Sequence, residues 1–495
     1  MAPKTHHPEW ATQHKKPGTE LKLINGRYYL YGVKSVYDKK LKRSRKVSLG
    51  ILGSINQHGF VPSDKQELKD RCKKSYHSKV VFAREYGYAK WMMGVLENEG
   101  ILAALKMHFP ELWQFVVMMT YCRTAHKSPL KNIPFFWEQS AMADLINWKQ
   151  KIIDQKISDD LFALGSMQEA IHSFLKSKDK GRKTVLIDAT DIVLQSEKIN
   201  LAQKGYNSNM DFQLQFVLLY LYDASSLQPL YYRLLPGNIR EISAMQNTIR
   251  MSGMDQCVYI ADKGFFSESN IAELERLGMQ YIIPLRRNNE RIPYHALNDI
   301  EQSDNYFEFG KRFIFFADTL KEQGRSINLF LDGKLKEYEK TDYLSRIRSL
   351  PENYSKPSFN HKVKAMGTLA LQHNTELSPE EVYHEYKNRG EIEQFFDHLK
   401  NTLNASSSNM QREESLNGWM FINHLSMQVI YKLYQILKNT PLNKKQTLNH
   451  KYSINDSIEH LKSIKQIQFN QKETIIAEVN KSTKTLLEKM KISIT

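Results

Sequence analysis

Tyr386, Arg389, Glu393 and Lys400 are separated by three, four and seven residues. An α-helix with 3.6 residues per turn returns to almost the same angle at those steps, so one face would carry an acid, two cations and a phenol. The acid could hold a metal ion, and the cations could grip phosphates beside it. Two further acids stand upstream at what read as strand ends: Asp188 in Val185-Leu186-Ile187-Asp188-Ala189-Thr190, and Asp262 in Val258-Tyr259-Ile260-Ala261-Asp262-Lys263-Gly264. Three carboxylates around one point repel one another unless cations neutralise them, and hard Mg²⁺ or Mn²⁺ prefers oxygen ligands. Two such ions could activate a water or a 3′-hydroxyl and stabilise the leaving oxygen of an in-line phosphoryl transfer.

Bland readings compete at each position. Arg389–Glu393 is also an ordinary i,i+4 pair, worth ~0.2–0.5 kcal/mol. An aspartate after a strand is often a cap or turn residue. Asp191 competes with Asp188 and stands as the reserve metal ligand, and Asp397 competes with Glu393 one turn later, while Glu391 points elsewhere. The joint occurrence of two strand-end aspartates and a helical glutamate with phosphate-binding neighbours favours the site.

The elements that must position these residues are legible. Ser378 can cap a helix, Pro379 suits its first position and Glu381 completes a capping box. No proline interrupts the stretch from Val382 to Leu403, in which Ile392, Phe395, Phe396 and Leu399 offer a packing surface. Upstream, the pattern predicts strands at Thr184–Ile187, Phe212–Tyr222 and Leu230–Leu235, a helix from Glu241 to about Met251, a strand at Cys257–Ala261, a helix over Ser267–Leu277 and a strand at Gln280–Leu285. That order is the order of a ribonuclease H-like sheet, in which the first and fourth strands are neighbours and bring Asp188 and Asp262 together. Residues 286–375 interrupt it with strand-prone runs at Tyr306–Phe309, Phe313–Phe316 and Ile327–Leu331. A long apolar helix, Leu416–Leu437, follows the capped one.

The N-terminal region reads as β-hairpin material with an Asn25-Gly26 turn signal, and the basic cluster Lys39–Lys46 is expected at the next turn, before a strand at Val47–Leu52. Helical spacing governs residues 80–175, where Trp91, Met92, Val95, Leu96, Leu112, Phe115, Val116 and Met119 read as core. The tail from Lys438 is rich in Lys and Asn and is expected to be partly mobile, with an amphipathic helix near Leu486. The domains that follow are a basic β-hairpin region (1–75), a helical DNA-binding domain (76–180), an α/β catalytic core (181–285 and 376–437), a β-rich insertion (286–375) and a basic tail (438–495) suited to dimerisation.

The chain has 495 residues, with 70 Lys and Arg against 54 acids, a net charge of +16. The excess sits at the two ends: residues 1–50 carry +9 and residues 431–495 carry +7, leaving a neutral body. Basic ends on a neutral body suit a polyanion gripped at those ends. Three scattered cysteines, Cys72, Cys122 and Cys257, exclude a disulfide framework or a zinc cluster and fit a reducing setting. The first residues lack the apolar run of a signal peptide, and no apolar stretch is long enough for a membrane span. A cytoplasmic setting is expected.

With these residues in place the sequence resembles the DDE transposases of bacterial insertion sequences, in the branch marked by Tyr-(2)-Arg-(3)-Glu-(6)-Lys, complete here as Tyr386, Arg389, Glu393 and Lys400. Ile260-Ala261-Asp262-Lys263-Gly264-Phe265-Phe266-Ser267 resembles the second-aspartate motif of that branch. Gly205-Tyr206, Asp211, Gln215, Pro229-Leu230, Pro236-Gly237-Asn238 and the Asn25-Gly26-Arg27-Tyr28-Tyr29 run are similar to residues of related transposases. The resemblance spans most of residues 20–435. It implies that Asp188, Asp262 and Glu393 hold two Mg²⁺ or Mn²⁺ ions and that Tyr386, Arg389 and Lys400 position phosphates. The implied chemistry is nicking at the terminal inverted repeats of an element, then attack on target DNA by the freed 3′-hydroxyl, carried out by a homodimer on paired ends. Hairpin-forming relatives hold a flipped base with a Trp of the insertion. Residues 263–392 contain no Trp, which leaves Tyr281, Tyr306, Phe309 and Phe313 as stacking candidates. The alternatives are a nuclease of the same chemistry that does not integrate, and a domesticated DNA-binding repressor without catalysis.

Overall fold

The computed structural model describes residues 7–38, 43–63, 80–177, 184–206, 212–226, 228–238, 241–254, 257–322, 324–469 and 474–494. Cys72, Asp211, positions 39–42 of the basic cluster and the expected domain edges at 75 and 180 lie outside these residues. The chain forms two compact units, Met1–Arg84 with Ile464–Lys481, and Glu85–Ser463 with Ser482–Thr495. Among the described residues no helix is long and apolar enough to cross a membrane.

The first unit opens with an antiparallel sheet in the order β1 (Thr19–Ile24), β2 (Arg27–Asp38), β3 (Arg43–Asn56) and β4 (Gly59–Pro62). Asn25 and Gly26 join β1 to β2 with φ of 48° and 78°, the two positive angles that a tight hairpin turn requires. A small core of Ala11, Leu21, Leu30 and Ile55, with Trp10, Tyr28, Leu52 and Phe60 against it, holds one end of the sheet. β3 begins four residues before the expected strand, because Arg43–Lys46 pair along β2 instead of forming the turn. A further strand, β5 (Val80–Glu85), leads into the second unit.

Helices α1 (Gly87–Asn98), α2 (Ile101–His108), α3 (Trp113–His126), α4 (Asp154–Ser166) and α5 (Gln168–Ser177) start the second unit. Trp91, Met92, Val95, Leu96, Phe115, Val116 and Met119 are buried in it, whereas Leu112 is half-buried. A mixed sheet follows: β6 (Thr184–Leu194), β7 (Gln203–Tyr206), β8 (Phe212–Asp223), β9 (Gln228–Pro236), then α6 (Glu241–Ser252), β10 (Val258–Ile260), α7 (Glu268–Arg276) and β11 (Gln280–Pro284). β10 lies parallel between β6 and β11, so the first and fourth strands are neighbours.

Residues 286–375 extend this sheet. β12 (Tyr306–Phe309), β13 (Arg312–Phe316), β14 (Leu320–Glu322), β15 (Arg325–Asp332) and β16 (Thr368–His373) continue it, with β16 antiparallel to β11, and α8 (Gly333–Ser349) packs beside them. Without β16 the backbone of β11 would be an open edge, which sheets generally cover. Next come α9 (Pro379–Lys387), α10 (Gly390–Asp397), the two-residue strand β17 (Ser407–Ser408) and the 27-residue α11 (Glu413–Asn439).

Helix α11 ties the helical region to the sheet. It crosses α4 where Gly165 faces Gly418: a Cβ on Gly165 would run into the Glu414 carbonyl, and one on Gly418 into the Leu161 carbonyl. Beside the crossing, the buried Arg123 donates to Asn423 Oδ1 at 2.9 Å and lies over the Trp419 ring. Beyond α11 the described residues of the tail form regular elements. Helix α12 (Ile454–Lys462) precedes the hairpin of β18 (Lys465–Phe469) and β19 (Thr474–Ile476), which joins β5 in a second sheet of the first unit. The last helix, α13 (Lys481–Met490), buries Leu486 and Met490.

Gly165→Ala and Gly418→Ala should each destabilise the protein by about 1–3 kcal/mol, the range for overpacking a close contact. Gly94→Ala, in open space on α1, should stabilise it by up to about 1 kcal/mol. Denaturant midpoints measure all three, and equal effects at Gly165 and Gly94 would dismiss the close crossing.

Candidate active site

Asp188 is not at a strand end. β6 runs on to Leu194 because β8 pairs with it as far as Val193 and β17 lies against Val193 and Leu194 on its other side. The convergence survives because the parallel pairing with β10 stops at Leu186–Ile260. Asp188 and Asp262 are each two residues beyond that last pair, so equal steps along parallel strands bring them to one level. Asp262 caps nothing: it precedes a 3₁₀ turn without a side-chain cap bond, and Ser267 caps α7 instead.

The third acid comes from the segment after Ser378, whose reciprocal bonds with Glu381 complete the capping box. That segment is not one regular helix. Arg389 N–H bonds the Tyr386 carbonyl and Ile392 N–H bonds the Arg389 carbonyl, both i to i−3, so the chain tightens between α9 and α10. After Asp397 it widens into a π turn over His398–Thr402, closed by the Leu403 N–H on the His398 carbonyl. The assumption of a constant 3.6-residue period therefore fails at both ends of α10. Phe395 and Phe396 anchor α10 by packing edge-on against Tyr220 of β8, which pairs across from Asp188.

The result centres on Arg389. Its guanidinium donates to Glu393 Oε1 at 2.8 Å and to Asp188 Oδ2 at 3.0 Å, and stands 3.7 Å from Asp262 Oδ2. Three carboxylates thus share one cation. Asp188 and Arg389 are mostly buried, whereas the Glu393 side chain is 62% exposed. Burial pushes the Asp188 carboxyl up to about 6. Arg389 and the Ala189 N–H oppose that shift, while Asp262 and Glu393 add to it. Burial also works against the Arg389 charge, but the surrounding Asp188, Asp262, Tyr386 and Glu393 outweigh it and hold the group above its ordinary value. Among the described residues, the buried Nε–H of Arg389 finds no acceptor. Tyr386 borders the same cluster, its hydroxyl pushed up to about 12 by burial, against the pull of Arg389 and with the push of the three acids.

Lys400 feels the charge of a different acid. It lies in the π turn, and the chain just beyond runs along β6, with Val193 N–H on the Ser406 carbonyl and Gln195 N–H on the Ser408 carbonyl. Burial lowers its ammonium, and Asp191 is the charge that opposes this. Asp191, the reserve ligand, also accepts from the Gln215 amide at 3.4 Å. That amide lies equally far from the Gly237 carbonyl, where Gly205 and Gly237 approach so closely that neither has room for a Cβ. Glu391 turns away to an ion pair with Lys438, and Asp397 accepts from Asn401. What spacing could not reveal is that Arg389 is the hub of the acids, since two of the three come from distant strands.

Of the four aromatic candidates, Tyr281 on β11 is fully buried with its hydroxyl on Glu275, and Phe309 packs on Tyr383 and His384. Tyr306 and Phe313 are exposed, with their rings edge to face at 5.8 Å.

Residues 179–428, half of the chain, match the family described as Transposase DDE domain. The chain belongs to that family. The β6–β10 strand pair and the Arg389 cluster both lie inside the matched segment. The protein is also similar to the solved structure of a piggyBac transposase synaptic complex with hairpin DNA, at 10% identity and a TM-score of 0.39 over 70% of this chain and 69% of that one. A pre-cleavage Mos1 transpososome aligns at 16% identity and a TM-score of 0.15 over 31% and 54%. No curated protein matches.

A metal in this DDE-domain protein would need hard oxygen donors around a site that tolerates positive charge. The carboxyl oxygens around Arg389 are such donors, and the guanidinium already occupies a cation's place among them. In this arrangement the acids close on Arg389, and among the described residues no group of three or more His, Cys, Asp or Glu is gathered as a metal cluster.

The raised Asp188 carboxyl has a consequence for stability. Its folded value of about 6 exceeds its ordinary 3.8, so the folded protein holds that proton more tightly than the unfolded chain. The contribution is fully present below about pH 4 and is lost as pH rises through 6. In the presence of chelator, Asp188→Asn should therefore match the wild type at pH 4 and exceed it by up to about 3 kcal/mol at pH 7. A variant deficit of the same size at both pH values would dismiss burial as the cause.

Proposed function

We propose that this protein is a transposase that cuts DNA at the ends of an insertion sequence and joins the freed 3′-hydroxyls to target DNA. The observation that carries this reading is the meeting of Asp188, Asp262 and Glu393 at one guanidinium. In this reading the three acids belong to a ribonuclease H-like core and hold two Mg²⁺ or Mn²⁺ ions. When bound, such ions supply an activated oxygen nucleophile and stabilise the leaving oxygen of an in-line displacement.

The remaining roles fall to the chain's own groups. Arg389 has an unspent Nε–H beside three carboxylates, so an arriving phosphate can take that donor and draw the guanidinium from the acids. Lys400, held near Asp191, offers a point charge to a second phosphate. The Tyr386 hydroxyl stays protonated across the physiological range and can donate a hydrogen bond to a phosphate oxygen. Tyr306 and Phe313 are the insertion aromatics open to stacking with an unpaired base. Duplex DNA is the partner, and two copies acting on paired ends would allow both ends to be joined in one event.

The test uses a labelled duplex carrying the inverted repeat that flanks the coding sequence, incubated with Mg²⁺ and an unlabelled target. Wild type should cut at the repeat and give joined products. Glu393→Gln and Asp188→Asn should each lower cutting by at least about a thousandfold, or ~4 kcal/mol in barrier height. Unchanged cutting by both variants would overturn the carboxylate assignment, and cutting without joined products would turn the reading to a nuclease. Arg389→Ala should weaken the capture of cut ends as well as their cleavage, measured by gel shift in Ca²⁺.

A further inference from the structure

Among the described residues, the far part of the β2–β3 hairpin lies beyond the apolar core of its unit. The core of Leu21, Leu30 and Ile55 ends near Gly32, and two β-bulges mark the exit. Leu30 pairs with Gly53 but Tyr31 with Ile51, and Gly32 pairs with Gly50 but Val33 with Ser48, so Leu52 and Leu49 are the extra residues. Leu52 still packs on the core, while Leu49 is 60% exposed. Paired bulges bend and twist a ribbon locally. Beyond them β2 and β3 continue as two strands alone, from Val33–Ser48 to Asp38–Arg43.

Cross-strand partners share a face, so the ribbon's two surfaces can be read from the register. One carries Lys34, Val36, Arg43, Arg45 and Val47, and the other Ser35, Tyr37, Ser44, Lys46 and Ser48. All of these are exposed except the half-buried Val47, with Tyr37 at 60%, and Val33, which pairs with Ser48 on the second face, is half-buried too. Lys46 makes a 3.6 Å ion pair with Glu20 of β1. Residues 33–48 hold seven Lys and Arg against one acid. A two-stranded ribbon wet on both faces is marginal by itself, so its strong charge bias points to a surface kept for a ligand.

We propose that this ribbon enters the major groove of duplex DNA, with Lys34, Arg43 and Arg45 directed at phosphates and base edges. The size fits: strands ~4.8 Å apart make a ribbon that a groove ~12 Å wide admits. Six residues of β2 span ~20 Å, or about six base pairs at ~3.4 Å each. The hydroxyls of Ser35, Tyr37, Ser44 and Ser48 would serve the opposite surface, where groove walls and water offer hydrogen-bond partners. This assignment deepens the transposase reading and rests on it for the choice of DNA as the polyanion.

The experiment uses the full-length protein with Lys34→Gln, Arg43→Gln and Arg45→Gln combined, checked by circular dichroism for an unchanged fold. Binding to a fluorescent duplex of mixed sequence and to a fluorescent oligo(dT) strand is followed by anisotropy across a KCl series. The variant should lose duplex affinity by at least about tenfold, and its log–log salt slope should fall by about two to three, near 0.9 per phosphate contact. Binding to oligo(dT) should stay within about twofold, because an extended single strand offers no groove to a ribbon. An unchanged duplex slope, or an equal loss on both probes, would overturn the proposal. So would a loss of oligomer on sedimentation with DNA affinity intact, which would assign the ribbon to contacts between copies. Failure of the catalytic reading would appear separately, as Glu393→Gln cutting at the wild-type rate.

Discussion

Asp188, Asp262 and Glu393 repel one another, and the guanidinium of Arg389 lets them share a partly buried space. Their oxygens lie 3.0, 3.7 and 2.8 Å from it. Without a cation there, desolvation and mutual repulsion would drive at least one acid to keep its proton, and Asp188 is already displaced in that direction. The cluster is thus a carboxylate site held ready by an internal counter-ion. A guanidinium in that position can be drawn off by phosphate, since bidentate phosphate contacts are among its strongest.

The rest of the second unit sets where those four groups stand. Parallel pairing of β6 and β10 puts two aspartates on one level. Phe395 and Phe396 against Tyr220 hold α10 over the same strands. A tightened turn before α10 and a π turn after it set the directions of Arg389 and Lys400, so the two cations serve different acids. Further out, the glycine crossing of α4 and α11 fastens the helical region to the sheet at a distance that no side chain could allow. The added strands β12–β16 cover the edge that β11 would otherwise expose.

Much of this was legible in the residues because it depends on short-range bonds. The Ser378–Glu381 capping box, the Asn25-Gly26 turn and the apolar run of β8 are each decided within a few positions, and each forms where the pattern says. The three acids stood out in the sequence beside recognisable strands and a capped segment, and the structure brings them to one guanidinium. The reading went astray where neighbours in space replaced neighbours in sequence. β6 continues past Asp188 because β8 and β17 pair with its second half, and the tail forms strands because β18 and β19 join β5 across nearly four hundred residues.

By itself, then, the sequence determined which groups could do chemistry and which local elements carry them: three acids, two cations, a phenol, and the capped segment from Ser378. Tertiary structure alone decided how those groups are partnered. It put Arg389 at the centre of the acids, gave Lys400 to Asp191, exposed Tyr306 and Phe313 while burying Tyr281, and left the β2–β3 ribbon wet on both faces. The physical reason is range. Caps and turns are fixed by hydrogen bonds within a few residues, whereas ion-pair partners and burial depend on strand register and helix phase, which are set by contacts among residues hundreds of positions apart.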